Sequence, residues 1–328
     1  MLILLAVICS LSSCVKEELI GPSEKEGLPV TIGVSMSALE ATTKADTKSS
    51  ATDDEATIGN RLVMVFKKTG TAYTTCAGFK YSDTDGDLTV ATTTGEVLFV
   101  GIANVDDKLK SELENVYSNG SLTYSLLSSK VTSQILSNPK SLIKIGVKEM
   151  SLELTTSSIE IEVAQLTARV DFIVKATNGW SATVDRTKIV VNGVCTSSDL
   201  LLAEYSKEDY TYNSQTTTGT GSIVNFDTPT NTMTFYTYEK NKDSELSVSV
   251  TVDLSYDKLT IIGKTYTAIL KPEIEGMSVT QGFIHGYHYI VTGTITSPTK
   301  MELTVKVIDW DGKDVNVNYG GDSYRENK

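Results

Sequence analysis

The sequence predicts an all-β protein with a minor helical insertion, organised as two tandem β-sandwich domains. Three observations favour this fold class. Apolar residues alternate with polar ones in many short segments, turn residues separate these segments, and the composition is rich in Thr, Ser and Tyr, with 15 Tyr but 2 Trp. β-branched and aromatic residues suit pleated, half-buried surfaces. A chain of 328 residues is long enough for two domains of ordinary size.

The chain opens with an apolar run, LLAVICSLSSC at residues 4–14, that ends at a cysteine. The run is too short to span a bilayer, which takes about 20 residues, but it suits the apolar core of a secretory signal. Leu11-Ser12-Ser13-Cys14 resembles a bacterial lipobox, whose cysteine is acylated, for example with palmitate. An ordinary signal peptide followed by an incidental cysteine is the alternative. We predict a lipoprotein signal peptide over residues 1–14, with lipidation at Cys14.

A linker is predicted over residues 15–29. It begins with Val15-Lys16-Glu17-Glu18, which resembles the Lys-acidic-acidic signal that moves lipoproteins to the outer surface. Acyl chains contribute about 0.8 kcal/mol per buried CH₂, so two or three of them hold a protein firmly in a membrane. The predicted location is therefore the cell outer membrane, with the protein exposed at the surface.

The first domain is predicted over residues 30–163 and begins with a strand over 31–39. Along this strand, inward-facing apolar residues alternate with polar or small ones. The inward-facing residues are Ile32, Val34, Met36 and Ala38. Residues 40–57 show no apolar periodicity and predict an exposed loop.

Two continuous apolar runs follow, Leu62–Phe66 and Val97–Ala103, and each is typical of a strand covered on both faces. The segment SDTDGD (82–87) between them consists of residues that favour turns, and it predicts a turn. Residues 106–137 suit one or two short helices or a loop with helical turns, which Asn138-Pro139 would end.

A change of parity marks the predicted domain boundary between residues 163 and 164. Apolar residues are odd-numbered from Ile159 to Val163 and even-numbered from Leu166 to Val174, so Ala164-Gln165 is either a bulge or a passage between two strands. The second domain, 164–328, contains the strictest alternation in the chain, over 246–254. Further strands are predicted over 259–270, 285–296, 302–309 and 313–320.

The net charge and the motifs argue against several functions. With 41 acidic and 29 basic residues the formal charge is −12, whereas nucleic acid requires a basic face. The sequence contains no nucleophile elbow, phosphate-binding glycine loop or Cys-x-x-Cys motif. We predict no enzyme activity, no catalytic residue, no cofactor and no metal site.

Three weaker features have ordinary interpretations. Asp83-x-Asp85-Gly86-Asp87 resembles a calcium loop, but position twelve is threonine rather than the glutamate of an EF-hand, so an acidic hairpin tip is predicted. His285 and His288, three residues apart on a predicted strand, would face opposite sides and could not bind one metal. Cys76 and Cys195 are predicted to be buried free thiols in different domains, with a disulfide as the alternative.

The order of six segments resembles the fimbrillins of Bacteroidales, the subunits of type V pili. The segments are DDE…RLVMVF (53–66), EVLFVGIANVDD (96–107), QLTARVDF (165–172), FYTYEK (235–240), GYHYIVTGTI (286–295) and VKVIDWDGKDVNVNY (305–319). The resemblance covers most of the chain and lies behind a lipobox. It implies two Greek-key, transthyretin-like sandwiches and the function of a structural fimbrial subunit.

The resemblance also implies an assembly mechanism. In this family a trypsin-like surface protease cuts the loop after the first strand, so that lipid and strand leave together. A C-terminal strand of the next subunit then fills the groove by donor-strand complementation. The displaced strand would be the one that carries Ile32, Val34, Met36 and Ala38. The donor strand would present Val315, Val317 and Tyr319.

The predicted loop contains Lys44 and Lys48 as processing sites, and Lys48 is nearer the family position. The best-known members are cut after Arg, so either a Lys-tolerant protease acts or this subunit keeps its lipid and serves as an anchor. Arg61 abuts an apolar run, where proteases reach poorly. The implied partners are other fimbrial subunits, in a homopolymer or as accessory pilins, a surface protease and the outer membrane.

The alternative function is a surface-anchored lipoprotein or tip adhesin that binds host glycan or protein without polymerising as a stalk. Tip subunits of the family typically carry an extra binding domain, for which this chain is short. The chain also keeps a candidate donor strand, which a terminal subunit would not need.

Overall fold

The computed structural model describes residues 27–38, 52–84, 86–133, 136–201, 219–221, 223–241, 245–274, 281–309, 314–315 and 317–319. The predicted signal peptide with Cys14 lies outside the described residues, and so do Lys44 and Lys48. Of the helices that are described, none has the length and apolar character needed to cross a membrane.

The first half of the chain contains eight strands and three short α-helices in its described part. The strands are β1 (Pro29–Ala38), β2 (Arg61–Thr69), β3 (Ala72–Ser82), β4 (Leu88–Thr93), β5 (Gly95–Ala103), β6 (Val131–Thr132), β7 (Lys144–Leu152) and β8 (Ser158–Gln165). The helices are α1 (Asp53–Ala56), α2 (Asp107–Ser118) and α3 (Tyr124–Ser128). The predicted fold class, all-β with a minor helical insertion, is confirmed.

Seven of these strands form the first sandwich, in the order β3-β2-β5-β7-β8-β1-β4. The sheet folds at β8, which pairs with β7 only through Lys144–Gln165 and Ile145–Ala164 and then pairs with β1 along 158–163. The halves β3-β2-β5-β7 and β8-β1-β4 therefore face each other across a shared apolar core.

The two continuous apolar runs are buried because both faces of their strands are covered. In β2, Val63 and Val65 point into the core between the two halves, whereas Leu62, Met64 and Phe66 point to the opposite side. There α2 and α3 cover the sheet with the buried side chains of Leu109, Leu113 and Leu127. Each helix begins at a capping side chain, Asp106 for α2 and Thr123 for α3.

The second half of the chain adds sixteen short strands within the described residues. They are β9 (Thr167–Ala176), β10 (Ser181–Val184), β11 (Val190–Val194), β12 (Ser198–Asp199), β13 (Gly219–Gly221), β14 (Asn225–Asp227), β15 (Thr232–Tyr238), β16 (Lys240–Asn241), β17 (Leu246–Tyr256), β18 (Leu259–Leu270), β19 (Pro272–Ile274), β20 (Gln281–Phe283), β21 (Tyr287–Ser297), β22 (Lys300–Asp309), β23 (Asp314–Val315) and β24 (Val317–Tyr319).

The second sandwich packs the sheet β14-β15-β9-β21-β22-β23 against the sheet β10-β17-β11-β13, in which β18 also pairs with β17. Its core includes the alternating residues of β17 from Leu246 to Leu254 and the even-numbered apolar residues of β9. The parity change in the sequence coincides with the passage from β8 to β9, which are separated by Leu166.

The two sandwiches share apolar contacts. Leu166, Cys195 and Tyr238, from the second half of the chain, belong to the cluster that covers the outer face of β2 and β5. Residues of β6 and β12 also pair across the two halves, Thr132 with Ser198. Cys76 lies in the same cluster, so the two cysteines that the sequence places in different domains line one apolar region as buried thiols that are not joined in a disulfide.

The sheet can change direction at β8 only because β7 has a glycine where β8 crosses it. A Cβ at Gly146 would lie 1.9 Å from the carbonyl oxygen of Glu162, so only a residue without a side chain allows β8 to cross here. We expect Gly146→Ala to lower the free energy of unfolding by about 3 kcal/mol, because the backbone itself must move.

Urea denaturation would measure this effect. Gly59→Ala is the matched control, since its Cβ would make an ordinary 3.6 Å contact with Oδ1 of Asn104. Equal stabilities of the two variants would contradict the crossing geometry.

Candidate functional site

Strand β1 is hydrogen-bonded along both edges and forms the middle of its half of the first sandwich. It runs antiparallel to β4, with Ile32 opposite Val90. It runs parallel to β8, with Val34 opposite Ile159. Removing such a strand would leave two rows of unpaired backbone groups, one on β4 and one on β8.

The apolar side of β1 completes the core of the first sandwich. Ile32 and Val34 are fully buried and Met36 is 8% exposed, whereas Ala38, predicted to point inward with them, is only half-buried. At about 1.5–3 kcal/mol for each fully buried aliphatic side chain, the three residues contribute roughly 5–9 kcal/mol. The strand itself begins two residues earlier than predicted, at Pro29.

A glycine on the facing strand makes room for Met36. A Cβ at Gly101 of β5 would lie 3.0 Å from Cε of Met36 and 3.3 Å from Cδ1 of Ile161. The long side chain of Met36 therefore reaches the backbone of β5.

The N-terminal end of β1 is fixed by Thr94. The backbone N–H groups of Gly27 and Leu28 donate to the carbonyl oxygen and Oγ1 of Thr94, each over 3.0 Å. The Thr94 N–H donates in turn to the Leu28 carbonyl over 2.9 Å. These bonds tie the chain just before β1 to the turn between β4 and β5.

The prediction that residues 40–57 form an exposed loop is wrong at the C-terminal end of this range. Residues Asp53–Ala56 form α1, because Thr52 caps this helix and its Oγ1 accepts from the Glu55 N–H over 3.3 Å. Oε2 of Glu55 accepts from the Thr52 N–H over 2.6 Å, which completes a capping box. Glu55 is fully buried rather than exposed.

The segment after α1 is held by side chains of the first sandwich. Nδ2 of Asn104 donates to the carbonyl oxygen of Thr57 over 2.9 Å, and its Oδ1 accepts from the Gly59 N–H over 2.7 Å. Nζ of Lys144 donates to the same Thr57 carbonyl over 2.8 Å. Burial of Lys144 lowers the pKa of its ammonium to about 8, although the nearby Glu55 carboxylate opposes the shift.

The carboxylate of Glu55 contacts the second sandwich. It accepts from the Tyr236 hydroxyl over 2.5 Å and from Nη1 of Arg169 over 3.0 Å. The sequence did not predict this contact. The pattern Thr-x-x-Glu at 52–55 is a capping-box signal that could have revealed the helix, but not its partners in the second sandwich.

The predicted donor residues lie on two short strands that pair within the chain. Val315, on β23, is opposite Val307 of β22. Val317 and Tyr319, on β24, are opposite Ile274 and Pro272 of β19. A donor role therefore requires that this segment leave its intramolecular partners.

The two histidines each contact a different carboxylate. His285 lies in the turn before β21, not on a strand as predicted, and its Nδ1 is 2.5 Å from Glu239. His288 lies on β21 with Nε2 2.8 Å from Asp171. Within the described ranges, no group of three or more His, Cys, Asp or Glu residues is placed to hold a metal ion.

Burial raises the pKa of the Cys76 thiol to about 11, so this thiol is a poor nucleophile at neutral pH.

Substitution of Ile32 tests how much β1 contributes to the core. We expect Ile32→Ala to lower the free energy of unfolding by about 2–5 kcal/mol, because it leaves a cavity between the two halves of the sandwich. Thr31→Ala, at an exposed position of the same strand, should change it by no more than about 0.5 kcal/mol. Chemical denaturation measures both; similar effects would refute the core role of β1.

The lowered pKa of Lys144 predicts a pH dependence. Below about pH 8 the ammonium is charged in both states and its burial destabilises the folded state; between pH 8 and the ordinary pKa of 10.5 the folded state loses its proton first. Stability therefore rises with pH in this window. Relative to Lys144→Met, the natural chain should gain roughly 3 kcal/mol from pH 7 to pH 10.5.

Urea denaturation at the two pH values measures this gain. Lys108→Met, at an exposed position, is the control and should show no such change relative to the natural chain. A pH-independent difference between the natural chain and Lys144→Met would contradict the assignment.

The fold is that of several solved structures, although no family model and no curated protein sequence matches the chain. A candidate cell adhesion protein from Parabacteroides distasonis aligns with a TM-score of 0.58 at 17% identity, covering 87% of this chain and 98% of that one. A fimbrial assembly protein from the same species aligns with a TM-score of 0.53 at 21% identity, covering 89% and 100%. A candidate cell adhesion protein from Bacteroides eggerthii gives 0.55 at 15% identity, covering 87% and 97%. At these identities the similarity establishes a shared two-sandwich fold.

Proposed function

We propose that this chain is a structural fimbrial subunit of the fimbrillin type, which is not an enzyme and polymerises at the cell surface. The main support is the position of β1 in the chain. This strand fills the core of the first sandwich, and the segment that joins it to β2, 39–60, has two lysines in its first half. Cutting the chain after Lys44 or Lys48 would separate β1 covalently from everything that follows.

Loss of β1 creates a groove that another strand must fill. Two backbone edges and the apolar contacts of Ile32, Val34 and Met36 would be exposed together. An open groove of this kind is a template for strand addition. The shared fold with a fimbrial assembly protein and with candidate cell adhesion proteins supports this assignment.

The donor in this proposal is the C-terminal segment 313–320 of a neighbouring subunit. The described residues of this segment, 314–315 and 317–319, make two residue pairs between β22 and β23 and three between β19 and β24. In the groove that the donor would fill, β1 pairs with six residues of β4 and with six residues of β8, which is more than the described residues of the donor segment have in their own chain. Because groove and donor are different surfaces, each subunit can bind the next and the contact propagates as a filament.

The proposal includes export as a lipoprotein. Residues 1–14 would be the signal peptide, Cys14 the acylated residue and 15–29 the linker, with sandwich domains over 30–163 and 164–328. The outer membrane would hold the precursor until a surface protease removes lipid and β1 together. A native mature chain that begins at an acylated Cys14 would instead identify an anchor subunit or surface lipoprotein.

Proteolysis of the purified full-length chain tests the proposal. Trypsin should cut after Lys44 or Lys48, release the fragment that carries β1, and convert monomers into ladders on non-reducing gels of unboiled samples. Polymers should form because a C-terminal strand from another copy replaces the lost contacts.

Two variants serve as controls in this experiment. Lys44→Gln with Lys48→Gln should remain monomeric, since the loop then has no basic residue to cut. A chain that ends at Asp314 should be cut but should not polymerise. Clipped natural chains that stay monomeric, or polymers from the shortened chain, would overturn the proposal.

A further inference from the structure

A row of polar side chains crosses the outer face of the second sandwich, directly beneath α1. On β9, Arg169 is opposite Tyr236 of β15 on one side and opposite His288 of β21 on the other. Their neighbours Ala168 and Val170 point to the opposite face, into the core. The three polar residues therefore form one surface across three strands.

Glu55 of α1 is the side chain that covers this row. It is fully buried, and it accepts hydrogen bonds from Tyr236 and Arg169 of the second sandwich as well as from the Thr52 N–H. A buried carboxylate is stable only when several donors satisfy it. Because two of the donors belong to the second sandwich, the burial of Glu55 depends on docking of α1 against that sandwich.

The row beneath Glu55 is itself fixed by Asp171. Nε and Nη2 of Arg169 donate to the two carboxylate oxygens of Asp171 over 3.0 and 2.8 Å, and the Thr234 hydroxyl donates to Oδ1 over 2.7 Å. Nε2 of His288 lies 2.8 Å from Oδ2. Burial raises the pKa of Asp171, but the hydrogen bonds from His288 and Arg169 outweigh it, and the pKa lies below its usual range. Arg169 is thereby presented to Glu55 in one orientation.

The backbone of α1 is held as well as its side chain. Nε2 of Gln165, at the end of β8, donates to the carbonyl oxygen of Glu55 over 2.7 Å. The chain from Thr52 to Asn60 is thus attached to the first sandwich by Asn104 and Lys144, to the strand junction by Gln165, and to the second sandwich through Glu55.

We propose that Glu55 is a positioning residue that docks residues 52–60 onto the second sandwich, so that proteolysis of the loop ends before Thr52 and β1 alone is released. After Lys48 the next basic residue is Arg61, the first residue of β2. Arg61 lies opposite Ser82 of β3 and Ala103 of β5. The docked segment holds this end of β2 in its pairing, so that a trypsin-like protease has no access to Arg61. The docking stands on the contacts above; its role in processing rests on the proposed function.

Mapping of the trypsin-resistant core by mass tests the docking whether or not the cut chains polymerise. The purified full-length natural chain should give a core that begins at Ala45 or Ser49. Glu55→Gln keeps the volume of the side chain but removes its charge, and cutting after Arg61 should become roughly tenfold faster or more. The core should then begin at Leu62, as read by intact-mass spectrometry.

Asp54→Asn is the matched control, because Asp54 lies on the same helix but is 52% exposed and pairs with Lys140 over 3.4 Å. It should behave like the natural chain. Tyr236→Phe removes only the hydroxyl that donates to Glu55 and should give an intermediate rate at Arg61, which keeps the test valid if Glu55→Gln does not fold.

Cutting at Lys80 and Lys175 distinguishes local undocking from global unfolding, since both lysines lie within strands. Undocking should accelerate cleavage at Arg61 alone. Unchanged cleavage at Arg61 in both Glu55→Gln and Tyr236→Phe, or equal acceleration at all three sites, would overturn the proposal. A clipped chain that keeps its docked segment but never polymerises would refute the proposed function and leave the docking intact.

Discussion

The first sandwich depends on the packing of one terminal strand between β4 and β8. Because β8 leaves β7 after two residue pairs, the half-sheet β8-β1-β4 has no continuity without its middle strand. The apolar face of β1 then supplies buried side chains that no other element replaces. The strand nearest the start of the described chain is therefore also the strand that holds one half of the domain together.

The chain before residues 39–51 and the chain after them are held by different kinds of contact. Before them, β1 is held by main-chain hydrogen bonds and by shape-filling apolar side chains, and any strand with the same alternation could make such contacts. After them, residues 52–60 are held by individual side chains, Asn104, Lys144 and Arg169, whose geometry suits this segment alone. The first set of contacts depends on a pattern that other strands can share, whereas the second depends on particular residues.

Local patterns in the sequence predicted several of the long strands in both sandwiches. The alternation in β17, the continuous apolar runs of β2 and β5, and the parity change between β8 and β9 each depend on nearest neighbours in the chain. The contacts of Glu55 could not be predicted in this way. Its partner Arg169 is 114 residues away and Tyr236 is 181 residues away, and both lie on the polar side of strands, where charged residues ordinarily face solvent.

The same limit explains the error in the loop. Residues 52–57 are polar and short of apolar periodicity, so composition alone gives them the character of a surface segment, whereas their order comes from a capping box and from distant hydrogen-bond donors. The parallel pairing of β1 with β8 could likewise not be predicted from local patterns, because the two strands are far apart in the chain. Ser35 and Ile159, for example, are separated by 124 residues.

Gly101 leaves a recess in the core of the first sandwich beside Met36 and Ile161. Met36 reaches this recess with an unbranched thioether whose terminal methyl lies against the glycine backbone. A strand in the same register that carries a short side chain there would leave a void, and a β-branched one would fill only the mouth of the recess. One missing side chain on β5 thus ties the packing of the first sandwich to the length of a single side chain on β1.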